Sequence, residues 1–333
     1  RTTREKAVFA GRLLAEAHRA IRAFRPDLVH IHFCSKTDFW KHALCLLAAR
    51  TRGIKTVFHL HGGTFDRFYA EQGAIGHVAI RRVFAAADVI VALSERWRDF
   101  LQTFEDPARV VVINNPIDCV RLAPRERLPG KSRPPDLLLL GSLGKRKGHF
   151  DAVQALPAVL QRFPDARLLF AGGEEDLGAR GELERMAAGL QIRDNVVFLG
   201  PVGFEQKLEL LHRSSALILP SYGENMPISV LEAMAAGTPV IASRVGAVPE
   251  ALDEGEVGIL LDPGDVQRLS GAILSVLEDP ERSDQTAHAA QARATSRWDA
   301  AQIAMQVGDL YRKVLRRRPP TRLPRPWARF RGR

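Results

Sequence analysis

The chain of 333 residues has no apolar run near the 18 or so residues of a membrane span, so no spanning helix is expected. It has only three cysteines, Cys34, Cys45 and Cys119. An odd number without CxxC spacing argues against a disulfide framework or zinc ribbon and for a reducing, cytoplasmic setting. No GxGxxG links a strand to a helix, which leaves a dinucleotide oxidoreductase poorly supported. The absence of GxxxxGK[ST] speaks against P-loop phosphoryl transfer. Neither an Asp-x-Asp pair nor HExxH is present, so no dedicated metal site and no cofactor is expected. A GxSxG nucleophile elbow is missing too.

Acid is also scarce in one place. Between Arg312 and Arg333 there are ten Lys or Arg and no Asp or Glu, which matches the whole net charge of +10. The body is therefore close to neutral, and the basic balance describes a tail. That tail, 316–333, carries four prolines and no helical period, so it is expected to be extended or disordered. Trp327 and Phe330 among arginines suit an anionic membrane surface. Nucleic acid is the rival partner, but nothing in the body resembles a nucleic-acid module.

The body alternates short β-rich runs with helical periods, the pattern of βαβ units and parallel sheets. Residues 4–24 have apolar positions three and four apart. Strands are expected at 27–33, 54–60, 88–92 and 110–113, then at 137–140, 167–171, 196–199, 216–219, 240–242 and 258–261. Helices lie between them. Residues 116–135 are rich in Pro, Gly and Arg and have no hydrophobic period, as a linker would be. The length suits two domains. The reading is an N-terminal domain at 1–118, a linker at 119–135, a C-terminal domain at 136–296 and a last helix at 297–315. The crevice between the two α/β units is the default ligand site.

One stretch dominates the second unit: PSYGENMPISVLEAMAAG at 220–237. A strand runs into a polar loop, and a helix follows. Pro227 fits the first helical position and Gly237 the residue past the end. Glu224 lies in the loop, and Glu232 is bracketed by Val230, Leu231, Ala233 and Met234. A carboxylate in such a setting needs a polar ligand or an internal donor. The loop and helix start offer the N–H groups of Asn225, Met226 and Ile228 to an anion. After the strand at 137–140 come Ser142, Lys145, Arg146 and Lys147, set among Gly141, Gly144 and Gly148. This turn can countercharge a phosphate. His61 precedes Gly62 and Gly63 at another strand end, where a ligand can come close. His30 and His32 point to one face of their strand, as packing residues or as functional ones.

These residues carry a resemblance. PSYGENMPISVLEAMAAGTPVIAS resembles the nucleotide-sugar signature of family 4 glycosyltransferases of the GT-B fold, a Glu, seven residues and a second Glu. LLLLGSLGKRKGHFDAV, VVFLGPV, VGAVPEAL and VFHLHGGTFDRFY are similar to further segments of that family. The resemblance implies two Rossmann-like parallel-sheet domains facing a cleft, with a C-terminal helix crossing back. It implies Glu224 on the donor sugar, Glu232 on the ribose and Lys147 on the diphosphate. His61 falls near the reacting carbon, and Leu199 and Val202 near the base. The implied reaction moves a sugar from a UDP- or GDP-sugar to a glycan or lipid-linked acceptor with retention, and the basic tail adds the expectation of a peripheral place on the membrane's inner face. Other GT-B activities, an epimerase or a phosphorylase, and a non-catalytic sugar-nucleotide binder are the alternatives. Two departures stand out. Ser142 occupies a family Arg position. The family's first strand and glycine loop also have no counterpart, and are expected upstream of Arg1.

Overall fold

The computed structural model describes residues 3–124 and 133–316. The basic tail beyond Arg316 and residues 125–132 of the expected linker lie outside these residues.

The first sheet has four parallel strands: β1 (Leu28–Phe33), β2 (Lys55–Leu60), β3 (Val89–Ala92) and β4 (Val110–Val112), in the order β1-β2-β3-β4. Alternation sends Phe33 and Phe58 to one face, where they stack at 3.9 Å and join Phe39, Phe65 and Phe84. Val57, Val89 and Val91 point to the other face.

The second sheet has six parallel strands: β5 (Asp136–Leu140), β6 (Arg167–Ala171), β7 (Val196–Gly200), β8 (Ala216–Leu219), β9 (Val240–Ser243) and β10 (Ile259–Leu261). Their order is β10-β9-β8-β5-β6-β7. Leu137 and Leu139 feed one core and Leu138 and Leu140 the other, so the continuous leucine run is buried on both faces. The order reverses between β5 and β8. Chains leaving these two strands turn to opposite sides and leave a crevice beyond their carboxyl ends. The loops that carry Lys147 and Glu224 leave from these two strands.

Among the described residues, two segments join the domains. Helix Pro280–Trp298 packs Ala290, Ala294 and Trp298 into the second domain. The chain then bends at Asp299, and helix Ala300–Arg316 lays Ile303, Leu310 and Val314 across the valine face of the first sheet. Ile117 runs beside this bend. Its N–H donates to the Trp298 carbonyl at 2.9 Å, and its carbonyl accepts from Ala300 N–H at 2.9 Å. The expected crossing helix is thus present. Part of the expected linker is ordered as well. Cys119–Leu122 forms a short helix whose Cys119 and Leu122 enter the second domain's core, burial that the Pro-rich composition around it obscured.

Candidate active site

The strand ends of the two sheets face one another across a cavity of about 790 Å³. On the second domain's side, the loops after β5 and β8 are tied together. Tyr222 N–H donates to the Arg146 carbonyl at 2.8 Å, and the Arg146 guanidinium donates to the Gly223 carbonyl at 2.9 Å. Lys147 Nζ donates to Glu224 Oε1 at 2.7 Å, and Ser221 Oγ donates to the same oxygen at 2.9 Å. Arg146 forms a two-point pair with Glu175 at 2.8 Å on each arm, and this pairing raises its pKa. Glu224 is only 7% exposed, so its charge depends on Lys147 and Ser221, with Arg146 at 3.5 Å.

Helix Ile228–Ala235 begins here. Pro227 stands one residue ahead of it, with extended backbone, rather than in its first turn. Proline's missing N–H explains the fit at either place. The N–H groups of Asn225, Met226, Ile228 and Ser229 donate to no acceptor among the described residues, so the loop and helix end present free donors and a positive dipole end. Gly237, at φ 64°, closes the helix as its sequence position implied, with Thr238 N–H returning to the Ala233 carbonyl at 2.8 Å.

The first domain brings His61, Gly62 and Gly63 against this loop. A Cβ on Gly63 would lie 2.5 Å from the Glu224 carbonyl carbon, so only glycine lets the two backbones meet. Asn225 Nδ2 donates to the Leu60 carbonyl at 3.3 Å, and Asn115 Nδ2 to the Met226 carbonyl at 2.9 Å. His61 Nε2 meets His32 Nδ1 at 2.8 Å. Burial first, and His32 second, lower the His61 pKa to about 4, so its ring is neutral at physiological pH.

His30 and His32 do share a face. They meet His59 and His61 from β2, four rings in close contact. Ring nitrogens of His30, His32 and His59 lie within 4.8 Å of one another. No metal motif in the sequence marked them, because two adjacent strands supply them and their spacing is set by sheet register.

His61, Arg146, Lys147, Glu224, Asn225, Met226 and Ile228 all line the cavity. Ser142 and Lys145 are exposed on the same turn but do not line it. Leu199 and Val202 pack on the second domain's core. Of the two partners its setting allowed, a polar ligand or an internal donor, Glu232 finds an internal donor, Lys207 Nζ, in a close ion pair. Sequence reasoning missed Ser221, Glu175 and Lys36. Of these, Lys36 carries a signal visible only in the backbone. It lines the cavity with φ 58° and ψ −129°, a costly conformation for a lysine.

Two family models match in tandem: Glycosyltransferase Family 4 over residues 2–121 and Glycosyl transferases group 1 over residues 122–293. The second alone covers more than half of the chain. This chain is a family 4 glycosyltransferase of the GT-B fold. The glycosyltransferase is 31% identical over 315 residues to a glycogen synthase of Mycobacterium tuberculosis, covering 91% of this chain and 73% of that one. It is 35% identical over 229 residues to a phosphatidyl-myo-inositol mannosyltransferase of the same organism, covering 67% and 58%. Among solved structures, sucrose-phosphate synthase from Thermosynechococcus elongatus superposes with a TM-score of 0.75 at 23% identity, over 90% of this chain and 78% of that one. HepE of Anabaena, solved with UDP, gives 0.75 at 21% identity, over 91% and 82%. No helix among the described residues is long and apolar enough to cross a membrane.

Proposed function

We propose that this glycosyltransferase takes a sugar from a nucleoside-diphosphate sugar, UDP- or GDP-linked, and passes it with retention to a glycan or lipid-linked acceptor. The observation that carries this is the cluster at the switch point. A buried Glu224 is paired with Lys147, beside free N–H groups at a helix start, and His61 faces them.

The diphosphate would accept from Ile228 and Ser229 N–H and draw Lys147 toward itself. Charge building on the leaving diphosphate then meets donors that are already fixed, with no reorganisation during reaction. Lys147 leaving Glu224 would open an acceptor position on Oε1 for hydroxyls of the donor sugar, with Ser221 still holding that oxygen in place. The neutral His61 ring offers a hydrogen bond near the reacting carbon without adding positive charge. Glu232 would take the ribose hydroxyls, exchanging part of its contact with Lys207. Leu199 and Val202 would border the base. Donor countercharge comes from Lys147, Arg146 and the helix end, with no cofactor. The relatives' names support sugar transfer to glycan and lipid-linked acceptors. The neighbour solved with UDP-glucose supports a uridine donor.

Calorimetry with UDP and GDP tests the donor class, followed by a panel of their sugars scored for hydrolysis and thermal protection. One nucleotide should bind, and its sugar should turn over. Turnover with no binding of either nucleotide refutes the donor class. Unchanged nucleotide affinity in Glu232→Ala removes the ribose contact. The basic tail would dock on anionic lipid. Liposomes containing anionic lipid should bind the full chain better than one ending at Leu315, and equal binding would remove this part.

A further inference from the structure

We infer that His30, His32 and His59 form a binding site for a divalent transition ion of the zinc type, beside the sugar-transfer cleft and separate from donor binding. Three imidazoles with one solvent-facing position are a common zinc donor set. The register of the parallel pair sets His32 against His59, and alternation puts His30 on the same face.

The geometry favours an ion over simple packing. His30 Nε2 and His59 Nδ1 face each other at 3.2 Å. Two nitrogens bound to one tetrahedral zinc stand roughly 3.3 Å apart, given Zn–N bonds of about 2.0–2.1 Å. His32 spends Nδ1 on His61 and keeps Nε2 for a ligand, and it is exposed, so an ion can enter from its side. His59 is only 5% exposed, and its Nε2 has no hydrogen-bond partner among the described residues. With an ion on Nδ1, Nε2 carries the ring proton, so His59 enters the site through Nδ1 alone.

His30 also has the outer support that metal-binding histidines use. Its Nδ1 meets Tyr311 Oη at 2.7 Å. With an ion on Nε2, Nδ1 carries the ring proton and donates to the tyrosine, which holds tautomer and ring plane. Tyr311 belongs to the crossing helix. The ion would therefore clamp β1 to β2 and, through His30, bind both to the helix that links the two domains. His32, its third ligand, holds His61.

Calorimetric titration of the untagged, chelator-treated full chain with zinc chloride is the test. A single equivalent should bind, the unfolding temperature should rise, and cobalt(II) should give the visible absorption of a tetrahedral site. His32→Ala, at an exposed position, should weaken zinc on the order of a hundredfold, and Tyr311→Phe on the order of tenfold. His288→Ala, a control on an exposed surface histidine, should leave it unchanged. No binding, or affinity that survives His32→Ala and Tyr311→Phe, would overturn the site. UDP affinity is read on the same variants, so failure of this site is distinguishable from failure of the donor reading.

Discussion

The two domains share a construction, parallel strands with helices on both faces, yet present opposite chemistry to the cleft. The second domain's strand ends are ionic: Lys147 on Glu224, Arg146 on Glu175. Apart from Lys36, the first domain's strand ends are neutral, made of histidines whose charge burial suppresses and of glycines that allow close approach. Their cores differ likewise, one built on stacked phenylalanines and the other on leucine, valine and alanine. The difference suits a divided task. An anionic leaving group needs fixed cations and N–H donors. The reacting carbon, where positive charge grows, is better met by polar groups that carry no positive charge.

The sharpest way to break this division is to remove the cation. Lys147→Ala should lower kcat by two to three orders of magnitude, roughly the effect of losing one preorganised donor, and weaken UDP more than uridine. Steady-state kinetics and calorimetry read both. A variant with normal kcat would mean that Arg146 or the helix end suffices.

Keeping the chemistry and spoiling the meeting of the domains should cost slightly less. Gly63→Ala places a methyl 2.6 Å from Asn225 N and must push the halves apart. Transfer should fall on the order of a hundredfold, as expected for ångström-scale misplacement, while nucleotide affinity stays near wild type. If both change together, the first domain shapes the donor site directly.

His149 extends the comparison to stability, because it is a suppressed histidine on the ionic side. It is fully buried beneath the loop at 144–148, and burial lowers its pKa to about 4. The folded value lies below the free value of 6.5, so the unfolded chain takes the proton first. Its contribution is complete above pH 6.5 and is lost as pH falls toward 4. Denaturant unfolding should show a loss of roughly 2 kcal/mol from this group between about pH 7 and about pH 5. His149→Gln should flatten that part of the profile, and an identical slope in the variant would exclude it.

The smallest effect is expected at Lys207→Met, which strands Glu232 on the margin of the ionic half. A half-buried pair of this kind contributes about 1 kcal/mol. Unfolding midpoints measure it. A gain in stability would show that desolvation outweighs the attraction in this pair.

Much of this was legible in the chain. Strand and helix alternation, the Pro227-to-Gly237 helix, the glycine-bracketed basic turn and the His-Gly-Gly strand end are local features, set by side-chain period and backbone preference within a few residues. Helices at Phe65–Ala70 and Cys119–Leu122 escaped notice because one or two turns carry too little period to read. The setting of Glu232 told that it needed a polar ligand or an internal donor, but not which. Lys207 is 25 residues away, Lys147 and Glu224 are 77 apart, and His30 and His59 are 29 apart. Such partners follow from strand order and register and from the helices packed on the sheet. A parallel sheet gathers the carboxyl ends of its strands on one edge, whatever length of chain lies between them. Local sequence therefore settled which residues stand at the strand ends, while folding chose which of them meet.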